Sequence, residues 1–385
     1  MSFLFARRPE PSAAASEKAT TQAEDAGAEA QAREASGDAA TESNKPRKTH
    51  RLILTPPADI EIPPRPPLSN TQQARVDEIR AYVVELHGAG LAEDDPYYAF
   101  EETWVHEDYL PERYLIATGW DVAAAKTRIR STLEWRRSFQ PECISPDEVK
   151  PEALTGKHFI SGFDKQGRPI FTVCPRHENT KNYDQQLRYM VWSFERCIQL
   201  MPTGVTQLNL VMSLEGNNAA NNPPMSSSRT ALNIMQGHYP CRLARAICNR
   251  GPWFFSVFFR IISPFIDPVT RQKIFFNPNM TSFANNDQVT TEWEGGEYDY
   301  EWDFESYWSQ MLDYCGLNPD GSRVQGPVPV DKNKELGPAS SGSKGQATAT
   351  APATAANGNA EAVAPAHATE ETVAPSRANG KASHK

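Results

Sequence analysis

Residues 207–249 read QLNLVMSLEGNNAANNPPMSSSRTALNIMQGHYPCRLARAICN, and this stretch decides the fold. The apolar run at 207–214 has the length and composition of a strand. A helix near 226–236, ended by Gly237, follows it, and then a short strand around 245–249. Upstream, PIFTVC (169–174) follows the turn signal Asp164-Lys165-Gln166-Gly167 and reads as another strand. Between these strands, residues 185–201 place Leu187, Met190, Val191, Phe194, Ile198 and Met201 on one helical stripe. Strands alternating with helices imply right-handed crossovers and a parallel sheet covered by helices, so the fold class is α/β. Residues 71–140 carry helical periodicity instead. Asp121 can cap a helix that aligns Val122, Ala125, Ile129 and Leu133, with Lys126, Arg128 and Arg130 on the opposite face, before a break at Pro141.

Composition sets the limits of this core. Of 385 residues, 39 are Lys or Arg and 48 are Asp or Glu, a formal charge of −9 that argues against a general nucleic-acid binder. Before residue 71 the only aromatics are Phe3 and Phe5, and none lies after 326. Residues 1–70, with a Pro-rich linker at their end (Pro63-Pro64-Arg65-Pro66-Pro67), and residues 327–385 are therefore expected to be disordered. The six cysteines show no disulfide spacing, and no apolar run resembles a signal peptide or a membrane span. These features lead us to expect a cytoplasmic protein with reduced thiols.

Residues 252–266, PWFFSVFFRIISPFI, make a helix apolar nearly all round. Such a helix is buried in a core, contacts lipid, or packs against another helix, and it is too short to span a bilayer. Pro252 and Pro264 bound it, so it could pivot as a rigid unit.

At this point the sequence resembles a known family. GHYPCRLARAICNRGPWFFSVFFRIISPFIDPVTRQKI (237–274) is similar to the CRAL-TRIO lipid-binding domain of fungal phosphatidylinositol transfer proteins. GWDVAAAKTRIRSTLEWRR (119–137) is similar to the helical module preceding that domain, and Asp164 to Ile170 matches its Asp-x-x-Gly-Arg-Pro-Val strand. Val191-Trp192 with Glu195 matches its first large helix, and Glu294-Gly295-Gly296 sits at its Phe-Gly-Gly turn. The resemblance implies a helical module at 71–140 and an α/β/α domain at 150–310. That domain would have a mixed, mainly parallel sheet as the floor of a hydrophobic lipid cavity. It further implies that Trp253, Phe254, Phe255, Val257, Phe258, Phe259 and Ile262 form a gate over the cavity. The headgroup positions fall on Lys273, Thr270, Cys241 and Thr118, where Cys241 replaces the family's Glu and Thr118 a basic residue. The expected ligand is a phospholipid or another hydrophobic molecule, exchanged at a transient membrane surface by a monomer with no catalytic step, no metal and no nucleic-acid partner. The alternative is a lipid-sensing adaptor without net transfer.

Two features invite other chemistry. Cys174-x-x-His177 and His238-x-x-Cys241 have zinc-like local spacings, but 60 residues separate the two pairs. A phosphatase loop after Cys241 would need Arg where Ile247 stands, and neither a Gly-x-Ser-x-Gly elbow nor a P-loop occurs.

Overall fold

The computed structural model describes residues 48–324. Four helices come first: α1 (Asn70–Gly88), α2 (Tyr98–Val105), α3 (Leu110–Ala117) and α4 (Val122–Phe139). Asp121 caps α4 as expected, its side chain accepting from the Ala124 N–H at 3.0 Å. The buried face of α4 (Ala125, Ile129, Leu133) packs with Val76, Ile79 and Val83 of α1 and with Leu110, Tyr114 and Leu115 of α3 in one apolar cluster.

After α5 (Pro146–Ala153), five strands form one sheet in sequential order: β1 (His158–Phe163), β2 (Pro169–Val173), β3 (Leu208–Ser213), β4 (Leu243–Asn249) and β5 (Ile274–Phe276). β1 pairs antiparallel with β2, and the remaining pairs are parallel, so the sheet is mixed and mainly parallel. The crossovers are α6 (Tyr183–Leu200), α7 (Met225–His238) and α8 (Trp253–Ile262). A sequential parallel order with right-handed crossovers puts all three on one face. α7 does not stop at Gly237 but runs to His238, because Gly237 keeps helical backbone there and supplies no left-handed cap.

The opposite face is covered by the chain after β5. Ile170, Val211 and Ile247 point there and pack against Met280, Ala284, Val289 and Trp293. Gly295 and Gly296 make the return turn possible. Gly295 has φ +79°, and a Cβ on Gly296 would meet the Thr290 carbonyl oxygen at 2.2 Å. Tyr298 then turns inward, and Tyr300 packs on Phe159 at 4.7 Å, while Glu297 and Glu301 face solvent. Asp303 caps α10 (Phe304–Cys315), which buries Tyr307, Trp308, Met311 and Leu312, and the short α9 (Pro268–Arg271) precedes β5.

The expectation of disorder through residue 70 fails for residues 48–70. Leu52 and Leu54 are buried, the Leu52 N–H donates to Gln310 Oε1 at 2.9 Å and the Ile53 N–H to Ser161 Oγ at 2.9 Å. A segment with few apolar residues becomes ordered here because a groove on the folded domain supplies both its apolar contacts and its hydrogen-bond partners. Pro63, Pro64, Pro66 and Pro67 remain exposed, and Arg65 between them pairs with Glu112 and lies 4.2 Å over the Tyr109 ring. The expected tails before residue 48 and at 327–385 lie outside the described residues.

Candidate functional site

Side chains alternate across a strand, so the face of the sheet turned toward the crossover helices carries every second residue. Phe171, Leu210, Ala246 and Ile274 stand in one register row, and Val173, Met212 and Cys248 in the next. These seven form the floor of a cavity of about 870 Å³. Met190 and Phe194 of α6 and Leu232 and Met235 of α7 line its walls. The volume lies near the top of the ~300–1,000 Å³ range of small-molecule sites.

α8 closes the cavity. Phe255, Phe258, Phe259 and Ile262 face inward and line it. Trp253, Val257 and Ile261, spaced four residues apart, face out and are 82 %, 47 % and 49 % exposed. Phe254 is half-buried, edge-on to Trp253 at 6.0 Å. Trp253, Phe254 and Val257 thus lie on α8 but not on the part of it that lines the cavity. Helical spacing separates the two stripes, but a helix without a polar face does not reveal which stripe points inward.

One end of the cavity is polar. Lys273 donates Nζ–H to the Leu243 carbonyl at 2.7 Å, and Thr270 lines the wall beside it. Asp267 caps α9 by accepting from the Thr270 N–H at 2.8 Å. Cys241, with φ +59°, also lines the wall, and its thiol donates to the Arg113 carbonyl at 3.5 Å. Burial pushes this thiol upward in pKa against the opposing pull of Lys273, Arg113 and Arg128, so it remains protonated at neutral pH. Thr118 requires a correction. It is Ile116 and Ala117 that border the cavity, while the Thr118 hydroxyl stays with the backbone, within 2.9–3.2 Å of the Tyr114, Leu115 and Asp121 carbonyls.

Arg128 of α4, on the face opposite the apolar stripe, reaches the cavity. Its guanidinium donates to the Gly237 carbonyl at 3.2 Å and to the Gln236 carbonyl, joining α4 to the end of α7. Among the described residues no group of three or more His, Cys, Asp or Glu side chains is placed to hold a metal ion. His238 lies parallel to the Trp135 ring at 4.4 Å. No helix of the described residues is long and apolar enough to cross a membrane.

The known protein family whose profile describes this arrangement is the CRAL/TRIO domain, matched over residues 154–295. The chain carries a CRAL/TRIO domain. Over 252 residues it is 37 % identical to a CRAL-TRIO domain-containing protein of Schizosaccharomyces pombe, covering 64 % of this chain but only 25 % of that relative. It is 28 % identical over 286 residues to the phosphatidylinositol transfer protein PDR17 of Saccharomyces cerevisiae, covering 68 % of this chain and 81 % of PDR17. The crystal structure of Sfh5 superposes with a TM-score of 0.49 at 16 % identity, covering 70 % of this chain and 96 % of Sfh5. The CRAL/TRIO match begins beyond α4, so Arg128 enters the cavity of the CRAL/TRIO domain from a preceding helix.

His158, on the cavity wall, gives the domain a pH dependence. Its ring is stacked 4.5 Å from Tyr189 and edge-on to Phe171 at 5.1 Å, with Nδ1 3.0 Å from Ser193 Oγ. Burial, helped by Lys157, lowers its pKa to about 3, and burial with Arg136 and Arg128 lowers that of His238 to about 4. Both folded values lie below the ordinary ~6.5, so below that pH the unfolded chain binds more protons and stability falls with pH. Each histidine contributes a slope of about 1.4 kcal/mol per pH unit, tempered at His238 by its solvent exposure. Urea unfolding of His158→Phe between pH 6 and 5, above the carboxylate range, should show a slope smaller by about that amount. An unchanged slope would mean that His158 is already charged in the folded state.

Proposed function

We propose that the protein is a lipid-exchange protein. It holds one phospholipid in the CRAL/TRIO cavity, releases it at a membrane and takes up another, with no bond made or broken. The observation that carries this reading is α8, a helix apolar on both sides, with one stripe on the cavity and one in solvent. Transfer of an acyl chain into water costs about 0.8 kcal/mol per CH₂, so two long chains would cost more than ~20 kcal/mol. A cavity that opens directly onto a bilayer avoids this barrier, and an exposed Trp suits the interface where it would open. The name of the budding yeast relative, a phosphatidylinositol transfer protein, supports the ligand class. In this reading α8 is the gate, the protein is a cytoplasmic monomer that docks transiently on membranes, and Lys273, Thr270 and Cys241 face the headgroup.

Mass spectrometry of lipids co-purified with the full chain, together with transfer of labelled phospholipid between donor and acceptor vesicles, tests the reading. About one phospholipid per protein and faster transfer are expected; an empty protein that accelerates nothing would overturn it. The exposed Pro63, Pro64, Pro66 and Pro67, held in place through Arg65, support a second reading, an adaptor that signals its lipid state to a proline-binding partner. Stable lipid occupancy without transfer would favour that one.

A further inference from the structure

The charged residues on the cavity wall do not balance. Arg128, Arg271 and Lys273 are cations, and Asp267 is the acid among the described lining residues. None of the three cations is in an ion pair with a described residue; each donates to backbone carbonyls instead. Those bonds leave donors over. A guanidinium has five N–H groups, and the two carbonyls on α7 account for two of those on Arg128. An ammonium has three, and Leu243 accounts for one on Lys273. Donors left at the end of an otherwise apolar cavity call for an acceptor carried by a ligand.

The two cations come from different elements, Arg128 from α4 and Lys273 from the residue before β5. Arg128 is held by the α7 carbonyls at Gln236 and Gly237, and Lys273 by the β4 carbonyl at Leu243. Cys241 lies in the loop between α7 and β4, and its thiol feels the charge of both. Nothing at position 241 neutralises them, because the buried thiol is protonated.

We propose that Arg128 and Lys273 together clamp the phosphate of an anionic phospholipid, with Arg128 supplying the cation that Thr118 does not. Arg128 makes the planar, multi-donor contact and Lys273 the point-charge contact. The same surplus of positive charge disfavours headgroups that carry their own cation, so choline and ethanolamine lipids bind less well. This inference rests on the lipid-exchange reading and adds to it a residue of the helical module that selects the ligand. The apolar floor, continuous with the polar end, identifies the source as a lipid rather than free phosphate.

The test incubates the full chain with phosphatidylcholine vesicles containing phosphatidylinositol, phosphatidylserine or phosphatidic acid. The protein is then re-isolated, and the headgroup classes it carries are quantified by mass spectrometry. Wild-type protein should be enriched in the anionic lipid relative to the vesicles. Arg128→Gln and, independently, Lys273→Gln should each lower the anionic-to-choline ratio about tenfold. Arg128→Lys, which keeps the charge, should recover most of the ratio. Wild-type loading with an unchanged ratio in Arg128→Gln would overturn the clamp alone, as would a loss of Arg128→Gln protein on folding combined with an unchanged ratio in Lys273→Gln. A wild-type chain that loads no lipid from any vesicle would remove the lipid-exchange reading first. Inorganic phosphate raising the melting temperature as much as lipid does would reassign the site to a soluble phosphate.

Discussion

Arg136→Ala should destabilise the protein by about 3–5 kcal/mol, lowering the melting temperature by roughly 10 °C. Arg136 is buried, with Nη2 paired to Glu142 and 3.1 Å from Glu195 Oε1, and Nε donating to Glu142 at 2.9 Å. Glu195 in turn accepts from the Tyr239 hydroxyl at 2.7 Å, and Glu142 accepts from the Tyr97 hydroxyl. One guanidinium therefore compensates carboxylates on two elements, the turn after α4 and α6. Removing it leaves both carboxylates buried without their ion-pair partner, and the cost of an unpaired buried charge exceeds the net worth of the pair. A small cavity of about 50 Å³ beside the network, bordered by Trp104, Arg113 and Arg242, has room for a water molecule but not for a compensating side chain. Adding Glu195→Gln to Arg136→Ala should restore part of the loss, because one of the orphaned charges is then gone. Thermal melts decide the matter: a drop of less than about 1 kcal/mol would mean that the carboxylates take up protons and the network is not ionic.

The same network shows where sequence reading succeeds and where it stops. The alternation around 207–249 was sufficient for the α/β class because period-2 and period-3.6 patterns are local properties. Asp121 as a cap and the stripe through Ala125, Ile129 and Leu133 were equally local, and the structure has both. Arg128 was legible as a polar-face residue of α4 but not as a cavity residue, since its partners lie 108 and 109 positions away. A helical wheel tells which residues share a face; it does not tell what docks on it. Leu52 and Leu54 were missed for the same reason, as their order depends on Ser161 and Gln310 rather than on any pattern of their own. Thr118 was placed at the headgroup by matching positions with a family. A residue too short to leave its own helix end cannot take over the contact of a long cation.

Placing charges on the outer stripe of α8, as Trp253→Asp with Ile261→Asp, should reduce vesicle-to-vesicle lipid transfer about 100-fold while leaving the melting temperature nearly unchanged. Both side chains stand in solvent, so little packing is lost and surface substitutions of this kind stay within about 0.5 kcal/mol. Their apolar area becomes useful only where α8 meets a bilayer. Burying a large apolar side chain contributes about 1.5–3 kcal/mol, so losing two removes at least about 3 kcal/mol of docking, which corresponds to more than a hundredfold in affinity. The inner stripe should respond differently. Phe259→Asp puts a carboxylate against the cavity, where Phe255 and Phe276 lie 6.4 and 5.2 Å from the Phe259 ring. It should lower lipid occupancy itself, because the charge must be desolvated beside acyl chains. The pair of experiments separates docking from holding. Outer-stripe variants should co-purify with lipid at wild-type stoichiometry yet fail to deliver it, and inner-stripe variants should come out depleted. Transfer at the wild-type rate in the Trp253→Asp, Ile261→Asp protein would detach α8 from the membrane step, since no energetic use would remain for a tryptophan that is 82 % exposed.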